Sequence, residues 1–195
     1  GTSIIVTTES PQFALGTHTG QPPEQVFTEF RNAKGWKSYF KATEARRSQV
    51  WARWDPRLTE SGWYELGAFV PGKHATTLRA RFKIHGVRGR SGETLAVVPQ
   101  DLLFNLWTPL GVYYFDVTAG ATTGVVFLND LTGETGREIA FDAVRWRKVE
   151  GITPAATFLA DGFDPPIGIP AERQGAAVWP VRAKRAARLD LRAKV

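Results

Sequence analysis

Cysteine and methionine are both absent from the 195 residues, and histidine occurs only three times. Without cysteine the chain can build neither a disulfide framework nor a thiolate site, which excludes small stapled scaffolds and cysteine nucleophiles. Long apolar runs are missing too, since none approaches the ~18–20 residues that cross a bilayer. His18, His74 and His85 stand far apart, with no HExxH or related metal spacing. There is no Gly-x-Ser-x-Gly elbow, no Gly-x-x-x-x-Gly-Lys-Ser/Thr loop and no Gly-x-Gly-x-x-Gly fingerprint. No catalytic constellation is legible, so the expectation is a protein that is not an enzyme and has no cofactor or metal. The missing methionine, with Gly1 in first place, reads as a processed or excised piece, and secretion to the cell surface or beyond is the expected location.

What the chain does have is apolar and aromatic mass. Hydrophobic residues make up 43% and aromatics 12%, with seven tryptophans, enough to fill a core and too much for a disordered chain. The net charge of +6 is unevenly spread. Residues 1–150 carry 18 basic and 15 acidic side chains, whereas residues 151–195 carry 7 and 4. A nearly balanced body without RNP, zinc-finger or helix-turn-helix patterns speaks against nucleic acid as a partner.

Short runs rich in Val, Ile, Phe, Tyr, Trp and Thr, punctuated by Gly, Pro, Asn and Asp, recur along residues 1–150. They are SIIVTT (3–8), QVFTEF (25–30), SQVWARW (48–54), WYELGAFV (63–70), TLRARFKI (77–84), ETLAVV (93–98), GVYYFDV (111–117), GVVFLN (124–129) and REIAFDAVRW (137–146). Such spacing predicts an all-β fold, an antiparallel sandwich of jelly-roll type. The runs 63–70 and 77–84 predict a hairpin. A Gly/Pro-rich loop is expected over 15–24 and one short helix near 41–47. After Glu150 the composition changes. Residues 151–180 hold five prolines and read as a linker or strap, and 181–195 form a basic tail, the whole an irregular proline-rich C-terminal extension.

Three groups of residues are candidates for function. In 77–85, Leu78, Ala80, Phe82 and Ile84 alternate with Arg79, Arg81, Lys83 and His85, which puts the basic set on one strand face. Arg79, Arg81 and Lys83 are therefore candidates for contacting carboxylate, sulfate or phosphate groups, the alternative being a solvated face that keeps the sheet soluble. Aromatic rings that remain exposed can stack on sugar rings. Trp36, Tyr39 and Trp54, in loops or at strand ends, are the candidates, although core packing is the commoner use of each. Trp51 and Trp54 point to opposite faces if VWARW is a strand, so at most one belongs to the core. Trp63, Trp107 and Trp146 are expected to be structural. Asn129, Asp130 and Glu134 offer oxygen ligands of the kind calcium takes, in a pattern that also suits an ordinary hairpin turn.

Taken in order, several of these segments resemble the golvesin C-terminal-like domain, also described as a xanthan lyase carbohydrate-binding-like module. SGWYELGAFVPGKHATTLRARFKIHG (61–86) is similar to its Gly-x-Tyr-x-Val … Pro … Ala-x-Tyr-x-Val-His segment. NLWTPLGVYYFD (105–116) resembles its Trp-x-x-Leu-Gly-x-Tyr-x-Phe strand, and GVVFLND (124–130) with IAFDAVRW (139–146) its closing motifs. The likeness runs from Phe27 to Val149, and Trp107, Leu110, Gly111, Tyr113, Asp142, Ala143 and Val144 fall on it. It implies a non-catalytic sandwich module of bacterial secreted or surface proteins, with no catalytic residues. Two stretches depart from the pattern. VVPQDLLFN (97–105) is more apolar than the family's polar segment, so an exposed Leu102-Leu103-Phe104 would be a contact surface. Nothing in the family corresponds to the tail after Pro180.

The leading expectation is thus an extracellular module that binds a polysaccharide or cell-surface glycan through Trp36, Tyr39, Trp54, Arg79, Arg81 and Lys83. Two alternatives stand beside it. One is a self-assembling structural subunit whose residues 1–8 and 181–195 pack on neighbouring copies as a filament or surface layer. The other is an accessory domain excised from a secreted cell-wall hydrolase, since the 161–180 segment resembles linkers leading into lysostaphin-like peptidases.

Overall fold

The structure, a computed structural model, describes residues 2–150, and the expected strap (151–180) and basic tail (181–195) lie outside the described residues. Strands β1 (Ser3–Val6), β12 (Val144–Val149), β6 (Gly62–Val70) and β9 (Leu106–Phe115) form one sheet in that spatial order. A second sheet runs β2 (Phe13–Thr17), β5 (Val50–Trp54), β10 (Val126–Asn129), β7 (Ala80–His85) and β8 (Glu93–Val98). A third, smaller one is β11 (Glu138–Phe141), β4 (Lys37–Ala42) and β3 (Thr28–Arg31). Every strand pairing in these sheets is antiparallel, and the all-β antiparallel sandwich expected from the sequence is what forms.

Alternation explains the layering. Along β7, Ala80, Phe82 and Ile84 are buried while Arg81, Lys83 and His85 stay partly exposed. Val50, Ala52 and Trp54 of β5 and Val126 and Leu128 of β10 point the same way, towards Tyr64, Leu66, Ala68, Val144 and Trp146 of the four-stranded sheet. Two indoles bridge the layers. Trp54 Nε1 donates to the Asp142 carbonyl at 2.7 Å, and Trp146 Nε1 donates in the other direction to the Gly124 carbonyl at 2.9 Å. Each ring so fills volume and satisfies its polar atom.

The expected hairpin of 63–70 with 77–84 does not form. β6 pairs with β9 and β12, and β7 pairs with β8 and β10 in the opposite sheet. The connection from Pro71 to Arg79 crosses the sandwich, held by Thr76 and Thr77 amides on the Glu138 carbonyl at 2.9 and 3.0 Å. It is too long for a two-residue turn, and the nonlocal partners of β6 supply more ladder than a neighbour could. Three further expectations are corrected. Residues 41–47 hold no helix, since β4 ends at Ala42 and bends follow. The loop expected over 15–24 begins inside β2, and QVFTEF starts as a short 3₁₀ turn at Pro23–Gln25 before β3. REIAFDAVRW is broken at Asp142-Ala143 into β11 and β12.

That break is chemically specified. The Asp142 carboxylate accepts the Ala143 amide on Oδ1 at 2.8 Å, and Asn32 Nδ2 at 2.9 Å with Ser38 Oγ on Oδ2. Burial pushes its pKa up to about 6 from the usual carboxylate value, against the lowering effect of those bonds. A folded value above the unfolded one contributes stability that is complete below pH 4 and is lost as pH rises through 6. The difference in unfolding free energy between the wild type and Asp142→Asn is therefore expected to move against the wild type by about 2–3 kcal/mol between pH 4 and pH 7. Urea titrations at both pH values read it, and a pH-independent difference would contradict the buried-carboxylate account.

The first run, SIIVTT, is engaged at home. Ser3 to Val6 pair with Arg147 to Val144 of β12, so those backbone groups on that edge are not available to a neighbouring copy. Phe104 is 48% exposed and Leu102 partly so, as expected for a contact surface, but Leu103 is buried in the core.

Candidate binding face

The outer face of the five-stranded sheet carries the residues that the sequence alternation turned outward. Lys83 lies opposite Leu95 of β8 and Phe127 of β10, Arg81 opposite Val97, and His85 opposite Glu93. Further across, Phe127 lies opposite Arg53, Asn129 opposite Trp51, and Trp51 opposite Gly16. Two adjoining depressions cover this surface. One of about 300 Å³ is lined by His18, Trp51, His85, Phe127 and Asn129, with Lys83 and Glu93 at its border. The other, of about 560 Å³, is lined by Arg79, Arg81, Leu95 and Val97, and shares the same Lys83 and Glu93.

Trp51 is held in place by the absence of a side chain beneath it. A Cβ built at Gly16 would lie 2.1 Å from Trp51 Cζ2, so the indole rests directly on the β2 backbone. Phe127 flanks it at 6.3 Å between ring centroids, and His85 packs on Phe127 at 4.9 Å. The result is a partly exposed aromatic platform whose rings are braced from below and beside.

Charge on the face is lopsided. Glu93 lies 3.9 Å from Lys83 and 3.7 Å from His85 Nε2, which tempers the positive charge at the platform end. Arg79 and Arg81 have no ion-pair partner among the described residues. The opposite outer surface, on the four-stranded sheet, differs in kind. There Arg147 bonds Glu65 at 2.8 Å, and the Arg145 guanidinium lies 4.7 Å over the Trp107 ring. Cations on that side are already matched.

Of the six candidates read from the sequence, the structure brings together Arg79, Arg81 and Lys83. Trp54 is fully buried and bonded to Asp142, so it offers no surface for stacking, and that expectation is withdrawn. Trp36 and Tyr39 line neither depression on this face. Trp36 is set by the Asn32 carboxamide, which accepts its amide at 3.0 Å, and its ring packs on Phe69 and Trp107 beneath the Lys34 ammonium. Tyr39 is wedged between Phe13 and Phe27 at 6.3 and 6.0 Å. Trp51, Phe127, His85 and His18 were not among the binding candidates read from the sequence. The opposite-face rule for VWARW pointed to an outward ring, and the glycine of FALGT was the unread signal for which one.

The calcium reading fails on geometry. Asp130 is fully buried and pairs with the Lys41 ammonium at 2.8 Å, while the Glu134 carboxylate is taken by the Thr77 hydroxyl and the Leu78 amide. Among the described residues no three His, Asp or Glu side chains gather where a metal ion could sit, and no helix is long and apolar enough to cross a membrane.

No family model matches the chain, and no curated protein matches it. Solved structures are similar to it. A xanthan lyase from Paenibacillus superposes with a TM-score of 0.59 at 18% identity, covering 76% of this chain and 13% of the lyase. This chain thus corresponds in fold to a small part of that enzyme's length, and the likeness is one of β-sandwich architecture. Weaker similarities extend to the C-terminal CBM6 of LamC, a laminarinase from Zobellia galactanivorans, with a TM-score of 0.46 at 14% identity over 75% of this chain and 100% of that one. A Clostridium thermocellum xylanase 10B, CBM22-1 and GH10 modules complexed with xylohexaose, gives 0.34 at 16% identity over 77% and 27%.

Proposed function

We propose that this sandwich is a non-catalytic module that binds a carbohydrate or cell-surface polymer on the outer face of its five-stranded sheet. The observation that carries the reading is the Trp51 platform, seated on Gly16 and braced by Phe127, continuous with a basic depression on the same face. A flat braced ring presents a π surface to the C–H face of a sugar, and a shallow open groove accepts a polymer without enclosing its ends. Among the described residues Glu93 is the single carboxylate lining either depression, whereas glycoside cleavage calls for a pair. The golvesin-like segments between Phe27 and Val149 support the same reading, as does the likeness in fold to xanthan lyase. The setting is extracellular, where such polymers are found.

Calorimetry with neutral and acidic polysaccharides tests it. Trp51→Ala is expected to weaken binding at least tenfold, the cost of removing a central aromatic contact. Gly16→Ala should reproduce much of that loss while the protein stays folded, because the new methyl displaces the indole towards solvent. Trp36→Ala should leave affinity unchanged. Equal affinity in wild type and Trp51→Ala would refute the platform.

A further inference from the structure

The two unpaired guanidinium groups do not merely decorate the strand. We propose that Arg79 and Arg81, converging on Gly133, form a dedicated anion subsite for one carboxylate or sulfate of the polymer repeat, set apart from the ring-stacking subsite at Trp51. This inference rests on the carbohydrate-binding reading for its ligand, and on the following geometry for its location.

A Cβ built at Gly133 would have two neighbours within 4 Å, Arg79 Nη1 at 3.8 Å and Arg81 Nη2 at 4.0 Å. Both guanidinium groups therefore border the same small volume above the Gly133 backbone, although Arg79 lies just before β7 and Arg81 within it, two residues apart. Two like charges directed at one point repel unless an anion lies between them. The nearest carboxylate in sequence, Glu134, is occupied by Thr77 and Leu78 and lies 3.8 Å from Arg137 Nε. Glu93 is engaged further along the strand with Lys83 and His85. The volume between the forks is thus left for a ligand oxygen pair, for which guanidinium has the matching planar geometry.

Strand geometry sets the distance to the platform. Trp51 lies on β5, and β10 alone separates β5 from β7, so the strands that carry the two subsites are about 10 Å apart. The ligand class that suits a ring-stacking subsite and an anion subsite on one open face is an acidic polysaccharide, with one sugar on Trp51 and a charged group at the two arginines.

Gly133 itself supplies the test. Its φ of +80° is a conformation that Asn and Asp tolerate, and the space above it is open apart from the two arginines. Gly133→Asp places a tethered carboxylate between the forks, and Gly133→Asn places an isosteric neutral group there. Titration with oligogalacturonate is expected to show wild-type affinity within twofold for Gly133→Asn and a loss of about tenfold for Gly133→Asp. Affinity for a neutral oligosaccharide should be equal in all three. Raising salt should weaken the oligogalacturonate complex of the wild type more than that of Gly133→Asp. Undiminished affinity in Gly133→Asp, or an equal loss in Gly133→Asn, overturns the subsite. Should no carbohydrate of either kind bind the wild type, the preceding reading falls by itself. Inorganic sulfate, followed by the NMR shift of the Gly133 amide, then decides the subsite: a shift that disappears in Gly133→Asp supports it, and no shift overturns it.

Discussion

Asp130→Ala is expected to destabilise the fold by about 3–5 kcal/mol, a large share of the ~5–15 kcal/mol that keeps a domain of this size folded. The carboxylate is fully buried and ties three segments together. It accepts the Ser48 hydroxyl at 2.9 Å and the Gln49 and Val50 amides at 3.0 and 3.3 Å, and it pairs with Lys41 Nζ at 2.8 Å. Alanine leaves those donors without their acceptor in a place water does not reach, and that desolvation dominates the cost. Lys41 keeps Glu44 at 3.1 Å, so the charge alone is only part of the loss. Asp130→Asn, which retains an acceptor but not the charge, should cost roughly a third as much. Urea unfolding at neutral pH measures both, and a loss below about 1 kcal/mol for the alanine variant would mean that the β4–β5 connection does not depend on this carboxylate.

Trp54→Ala carries an effect of comparable size, about 3–5 kcal/mol, by a different route. The side chain is among the largest fully buried ones and packs on Phe13 at 5.4 Å and Phe82 at 6.2 Å. Its removal leaves a cavity between sheets that are pinned on both sides and relax little. It also deprives the Asp142 carbonyl of its indole donor, at the break between β11 and β12. Trp54→Phe separates the two contributions: the ring volume is largely kept, and the remaining loss of about 1–2 kcal/mol is the cost of the missing N–H. Thermal or urea unfolding should rank wild type above Trp54→Phe above Trp54→Ala. Affinity for carbohydrate in Trp54→Phe should be unaltered, in contrast to Trp51→Ala.

The pair of tryptophans shows how far the sequence was legible. Period-two alternation in VWARW establishes that Trp51 and Trp54 face opposite ways, and in 77–85 it correctly assigns the basic set to an outer surface. Alternation is a local property of one strand, however, and does not say which face is covered. That depends on Ala52 and Trp54 meeting the far sheet, a contact between residues remote in sequence. The same limit explains the missing hairpin, because β6 finds its partners 36 to 86 residues downstream, from Val70 with Leu106 to Trp63 with Val149. It explains why β2 and β4 were overlooked as well. FALGT includes the glycine on which Trp51 lies, and in KSYFKA the burial of Ser38 follows from its bond to Asp142 and not from its own chemistry. The platform was unreadable for a related reason, since Gly16, Trp51, Phe127 and His85 come from four separate strands.

The pairing of β1 with β12 has a mechanical consequence. Ser3 sits across from Arg147, so the two ends of the described body leave from the same corner of the sandwich. Tension applied through both ends loads that ladder one rung at a time, from Ser3 inward to Val6, because its hydrogen bonds lie along the direction of pull instead of across it. Pulled by both ends, the described body should therefore lose its initial strand first and at low force, while the indole-pinned layers behind it hold together.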